Sequence, residues 1–185
     1  MAMTHLSPIL FLDFDGVLHP NRCAPTDCFC LLPSLAATIA QFDVTVVISS
    51  TWRFHKSLRW IKQLFPPAAR KQIVGTTGEP WPGQYARWRE ARDYLRDHPA
   101  PNWRALDDFD FEFPPRCPQL IHCDGDRGCT RVELDILADW LSQATAPRNR
   151  VSDEYGGAPI SGTSSDHEVA TDRDARGGQP SAIKL

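Results

Sequence analysis

Apolar and polar positions along the chain alternate between two kinds of run. "ILFLDF", residues 9 to 14, is a continuous apolar strand interrupted at Asp13 and closed by Asp15-Gly16. Val44–Ile48 is a second such strand, β-branched and ending in Ser49-Ser50. Ile73-Val74 before Gly75, Trp103–Leu106 before Asp107-Asp108, and Gln119–His122 read as shorter ones. Between them lie segments of helical period. Ser34–Phe42 carries Leu35, Ile39 and Phe42 on one face. Phe54–Phe65 repeats Phe54, Leu58, Ile61 and Phe65, then stops at Pro66-Pro67. Gln84–His98 places Tyr85, Trp88 and Leu95 along a stripe. Thr130–Leu141 opens with Thr130 and Glu133 in capping-box spacing. Unbroken apolar strands separated by amphipathic helices predict an α/β, Rossmann-like three-layer fold with a mostly parallel central sheet covered on both faces.

Composition bounds this picture. The chain has 185 residues, enough for one domain with a full core. From Thr145 to Leu185 there is no Trp or Phe, and Gly, Ser, Asp and Arg dominate. Such a segment buries too little apolar surface to offset chain ordering. The expected organisation is a folded domain over residues 5–144 and a disordered tail over 145–185. A net charge of −3 gives no general nucleic-acid footprint, though it leaves room for a local basic groove. No apolar run nears the roughly 18 residues of a membrane span, and Asp13 breaks the first one, which makes a poor signal peptide. The expected location is the cytoplasm, with no membrane association and no obligate protein partner. The six cysteines lack paired C-x-x-C spacing, so reduced thiols are expected rather than zinc, with Cys28 and Cys30 packing beside Phe29.

In parallel sheets, ligands sit beyond the carboxyl ends of the strands. Asp13/Asp15, Ser49/Ser50 and Asp107/Asp108 all stand at such ends. Four carboxylates gathered at one point need a cation among them. Hard oxygen ligands with few neutral donors suit Mg²⁺ together with a substrate phosphate. One carboxylate can attack phosphorus; the other, two residues on, projects from the same side of the strand and can serve as acid and base. A serine at a strand end offers a hydroxyl and a backbone N–H to phosphate oxygens. A protein cation must balance those oxygens. Arg87 and Arg89 are the candidates, about 200° apart around a helix, and Arg87 is preferred because it shares a face with Glu90 and Tyr94.

"FLDFDGVLHP" resembles the first motif, D-x-D-G-[VT], of the haloacid dehalogenase-like (HAD) superfamily. "VVISSTWR" resembles its second motif and "WRALDD" its fourth. The chain is also similar to small bacterial HAD-domain proteins carrying "ISS-x-WR" and "LDD". Their late loop ends in G-L-T, where this chain has "CDGDRGCT"; the Cys129 departure is expected to alter local packing only. The resemblance implies a Mg²⁺-dependent phosphohydrolase. Asp13 would be the nucleophile. Asp15 would be the general acid/base, with its backbone carbonyl on the metal. Ser49 and Ser50 would bind phosphate, Arg87 would stand for the third motif, and Asp107 and Asp108 would hold Mg²⁺. Arg53 is either a substrate contact or a solvated first-turn arginine.

The intervals from Val17 to Val46 and from Ser50 to Arg87, where caps are inserted in this superfamily, are each filled by a helix and its connections. A core without a large cap is therefore expected, open to nucleotides or phosphorylated nucleic-acid ends. The alternative is a module of the same fold that binds phosphate or nucleic acid without cleaving it. A partner role in RNA end repair is a third reading, suggested by relatives fused to repair domains; the chain has no G-x-x-x-x-G-K-[ST] loop. Asp13 and Asp15 would otherwise be turn residues, and Asp110 and Glu112 are expected to be a solvated acidic loop. Asp124 and Asp126 lack a full calcium-loop pattern. His19 is expected to cap a turn rather than face substrate. Trp81 and Trp88 are expected to pack in the core rather than stack a base.

Overall fold

The computed structural model describes residues 6–146. Five strands form one all-parallel sheet: β1 (Ile9–Leu12), β2 (Thr45–Ile48), β3 (Ile73–Thr76), β4 (Trp103–Asp107) and β5 (Leu120–His122), in the order β3-β2-β1-β4-β5. Five helices accompany them: α1 (Leu32–Ile39), α2 (Leu58–Leu64), α3 (Pro67–Arg70), α4 (Ala86–Asp97) and α5 (Arg131–Thr145). Alternate strand residues enter separate cores. Leu10, Leu12, Val46, Ile48 and Leu106 join α1, α2, α3 and α5 on one face. Ile9, Phe11, Val47, Trp103 and Ala105 join α4 on the other. The apolar runs are unbroken because both sides of each central strand are covered.

The handedness of parallel crossovers explains which helix lies where. The chain steps outward from β1 to β2 to β3 with its helices on one face. It then reverses to reach β4, and a right-handed crossover in that direction requires the opposite face. That reversal puts α4 alone over the second core. It also makes β1 and β4 the neighbours at which strand order switches, paired Leu12 to Leu106. β2 flanks β1 on the other side, with Leu12 opposite Ile48. Asp13, Ser49 and Asp107 therefore finish adjacent strands. The backbone amides of Asp13 and Ser49 extend the ladders, donating to Leu106 and Leu12 carbonyls at 3.1 and 3.0 Å.

Several predicted boundaries move. The Ser34–Phe42 helix starts at Leu32, because Pro33 is accommodated in the first turn, and ends at Ile39. The Phe54–Phe65 helix is two pieces. Ser50 caps a 3-10 turn over Thr51–Phe54, and Ser57 starts α2 by accepting the Trp60 amide. Phe54 is consequently exposed rather than part of the apolar face. Gln84–His98 begins as helix only at Ala86. Tyr85 adopts a left-handed conformation, φ 61°, and the Glu112 carboxylate accepts the Ala86 amide at 2.8 Å. Glu112 is thus a helix-terminus acceptor rather than a purely solvated acid. The strand at Trp103 runs through Asp107 and the one at Ile73 through Thr76. The capping box on α5 is present, but that helix continues to Thr145, a residue the composition assigns to the tail. The remainder of the tail, from 147 onward, falls outside the described residues. No large cap interrupts the described residues. Cys28 and Cys30 do not pack as expected: Cys28 is half-buried and Cys30 exposed, whereas Cys123 and Cys129 are buried in the first core.

Candidate active site

The β1 tip holds the centre. Asp13 is 4% exposed and Asp107 wholly buried, and Asp108 lies at the rim. One oxygen from each of Asp13, Asp107 and Asp108 lies within 4.8 Å of the others. Asp107 accepts the Phe109 amide on Oδ1 at 3.0 Å, but its Oδ2 has no hydrogen-bond partner. Asp13 Oδ1 also lacks one; its nearest cation is Arg87 Nη2 at 3.4 Å. Buried carboxylate oxygens are seldom left so. Burial raises Asp13 above its ordinary carboxylate value, with Arg87 pulling the other way. Burial also raises Asp107, reinforced by the Asp13 charge. An oxygen-rich, unpartnered acidic cluster of this size fits a hard divalent cation such as Mg²⁺.

Asp108 is held by Asn21, whose Nδ2 donates to Oδ2 at 2.7 Å. Gly16 (φ +68°) and Gly125 pass so close that a Cβ on either would collide with that carboxylate. For Gly16 both the backbone angle and the space require glycine.

The Asp15 carboxylate is engaged on its own account. Trp52 Nε1–H donates to Oδ2 at 2.9 Å, and His19 Nε2 lies 3.2 Å from Oδ1. The Phe29 amide donates to His19 Nδ1 at 3.3 Å, which assigns the ring hydrogen to Nε2 and makes it the donor to Asp15. The side chain of Asp15 remains 47% exposed while His19 is buried. A carboxylate clamped on both oxygens yet open to solvent is aimed, not sequestered. His19, Cys23 and Cys28 also approach within 4.8 Å of one another. With both His19 nitrogens occupied, that trio offers no free imidazole lone pair.

Arg87 projects from the first turn of α4. Besides facing Asp13, it donates to the Ser49 carbonyl through Nη1. Burial works against its charge, but Asp13 and Asp107 outweigh that and its pKa is raised. Arg89 points elsewhere, its guanidinium 5.8 Å from the Trp81 ring centroid. Ser49 and Ser50 are both buried beside Asp13.

Arg53 corrects one of its two readings: it is not solvated, for its side chain is 3% exposed and pairs with Glu90 at 2.8 Å. It also donates to the Ser49, Ser50 and Gly78 carbonyls. Burial lowers Arg53 and raises Glu90, and each partner counters the shift of the other. At this distance, with further hydrogen bonds, an ion pair is the state the geometry favours.

His19, Trp52, Asn21 and Glu90 were not legible as site residues. Their partners are 4, 37, 87 and 37 positions away in sequence, respectively. The nearest to a signal is the Asp15–His19 spacing, which in a turn carries no facial meaning.

A parallel sheet of this order, with paired aspartates after β1, serines after β2, a basic residue from α4 and paired aspartates at the end of β4, is that of the HAD-like superfamily. Residues 9–134, more than half of the chain, match the model of a family described as the HAD domain in Swiss Army Knife RNA repair proteins, and the chain belongs to that family. No curated protein and no solved structure matches it. HAD domains are generally hydrolases of phosphate esters.

Proposed function

We propose that the chain is a Mg²⁺-dependent phosphohydrolase working through an aspartyl-phosphate on Asp13. The observation that carries this reading is the meeting of Asp13, Asp107 and Asp108, with a buried oxygen of Asp13 and one of Asp107 unpartnered. When bound there, Mg²⁺ would offset the carboxylate repulsion and neutralise phosphate oxygens. Asp13, Asp107 and Asp108 would hold it through side chains, and Asp15 through its backbone carbonyl.

An Asp13 oxygen bonds to phosphorus as the ester P–O bond breaks. The leaving oxygen takes a proton from Asp15. Water then attacks phosphorus, delivers its proton to Asp15, and releases phosphate and free Asp13. Ser49, Ser50 and Arg87 would receive the phosphoryl oxygens, with Arg87 held by the Ser49 carbonyl. His19 and Trp52 would fix the Asp15 carboxyl where it must first give and then take a proton. Arg53, bonded to the Ser49 and Ser50 carbonyls and paired with Glu90, braces the serine loop.

The absence of a large cap among the described residues leaves the site open. An open rim suits a nucleotide or a phosphorylated nucleic-acid end better than a small sugar phosphate, which needs enclosure to exclude water. The RNA-repair description of the family points the same way. No described helix is long and apolar enough to cross a membrane, and the expected setting is cytoplasmic.

The test is turnover of a generic aryl phosphate and of 3′- and 5′-phosphorylated oligonucleotides, with Mg²⁺, with EDTA and with Asp13→Asn. Turnover is expected with Mg²⁺ alone and is lost by at least about 10³-fold in the variant, as for removal of a covalent nucleophile. Silence across the panel with phosphate binding intact would establish the non-catalytic module instead.

A further inference from the structure

A cleft of about 940 Å³ runs along the outer side of α4 down to Pro99, Pro101 and Trp103, with none of the site carboxylates in its lining. Tyr85, Arg89, Arg92 and Arg96 recur at helical spacing along this side, with Trp81 and Trp88 set between them. The Arg89 guanidinium lies 5.8 Å from the Trp81 ring centroid and that of Arg92 lies 5.6 Å from Trp88. Among the described residues, Asp93, tied to Arg96, is the only acid lining the cleft. This contrasts with a chain whose net charge is −3.

The sequence assigns Trp81 and Trp88 to the core, and the structure divides them. Trp88 packs against the second core, half-buried, while Trp81 is 39% exposed. Aromatic faces with arginines stacked over them, in a basic groove, are what a single strand of nucleic acid meets when bases stack and phosphates pair. Three arginines against one acid favour a polyanion that can also stack, rather than an uncharged protein surface. Arg87 faces Asp13 from the first turn of the same helix, whereas Arg89, Arg92 and Arg96 project from the opposite side, so the cleft lies on the side of α4 turned away from the carboxylates.

We infer that the α4 cleft is a binding track for single-stranded nucleic acid, recognised through Trp81, Arg89 and Arg92 without base specificity. Its affinity does not rest on the phosphohydrolase reading.

Binding is therefore measured without turnover, on the full chain carrying Asp13→Asn, by anisotropy of a fluorescein-labelled oligouridylate of about ten nucleotides. The deoxy counterpart is run beside it to separate RNA from DNA. Trp81→Ala and Arg92→Glu in that background should each weaken binding by roughly 5- to 100-fold. Arg92→Glu should also flatten the salt dependence by about one unit of log–log slope, and Trp81→Phe should retain most of the affinity. With Asp13 intact, the same cleft variants should leave aryl-phosphate turnover unchanged. Should a variant melt lower than its parent, Arg89→Gln supplies the same reading. Oligonucleotide binding indifferent to Trp81 and Arg92 overturns the track, whatever the turnover. Binding that depends on them, in a chain that turns over no phosphate, upholds the track and removes the phosphohydrolase reading alone.

Discussion

Asp15 shows how much a single side chain depends on its neighbours. It sits two positions after Asp13, yet the two carboxylates have opposite surroundings. Asp13 is buried against Arg87 with an unpartnered oxygen; Asp15 is half open and held by two donors. Divergent environments are how two like groups take different parts in one reaction. The Trp52 N–H reaches Asp15 while its ring packs against Phe14, Phe29 and Trp60. Trp52→Phe keeps an aromatic ring there and deletes the donor. A hydrogen bond to a charged group contributes about 1.5–3 kcal/mol. Loss of that aim should lower kcat by roughly tenfold or more, with KM little changed and the melting temperature within a few degrees of the parent. Steady-state kinetics on the aryl phosphate read the split; an unchanged kcat would leave Trp52 a packing residue.

Among the elements, α5 gives the clearest link from sequence to energetics. Thr130 accepts the Val132 amide, while the Glu133 carboxylate accepts from the Thr130 amide at 2.7 Å and hydroxyl at 2.5 Å. Thr130→Ala should cost about 1 kcal/mol in urea unfolding. Burial would raise Glu133, but its bonds to Thr130 prevail and its pKa is lowered from an ordinary 4.5. A carboxylate depressed in the folded state stabilises fully above its unfolded value and loses that contribution as pH falls through the folded one. Glu133→Gln should therefore destabilise the domain at pH 7, and the difference from the parent should shrink below about pH 4. Melting curves across that range check the sign; a gap that grows in acid would contradict it. α4 is the counterexample to reading helices from periodicity. Its stripe marked Tyr85, Trp88 and Leu95 as a core face, but Tyr85 stands in the left-handed N-cap position and lines the cleft.

For the molecule as a whole, the two faces of the sheet have to be kept in register across the site. α4 alone covers one face, and the serine loop after β2 rises at its edge. Arg53 and Glu90 join them: the arginine leaves the loop, the glutamate leaves α4, and both are buried. Thr77, beyond β3, adds a contact to the same glutamate at 3.4 Å. Removing one partner strands the other charge without solvent. Arg53→Met should destabilise the domain by roughly 3–5 kcal/mol, read by denaturant unfolding. Glu90→Gln, which keeps a hydrogen-bond acceptor for Arg53 and Thr77, should cost less. Equal, small losses in both would show that the pair does not hold the faces together.

The amino-acid sequence by itself determined the strands and most helices, the placing of Asp13, Ser49 and Asp107-Asp108 at strand ends, and the cap of α5. These are local properties: apolar period, turn chemistry, and polar groups where a buried strand must end. It also favoured Arg87 over Arg89 through helical phase alone, and the structure turns Arg87 to Asp13 and Arg89 to Trp81. Only the tertiary structure decided that Asn21 grips Asp108, that His19 and Trp52 hold Asp15, that Arg53 is buried, and that Trp81 is left outside. Apart from the local Asp15–His19 contact, each of these depends on which distant segments meet once the sheet reverses its order at β1. Periodicity tells which way a side chain faces along its own element, but what it faces is set by packing between elements.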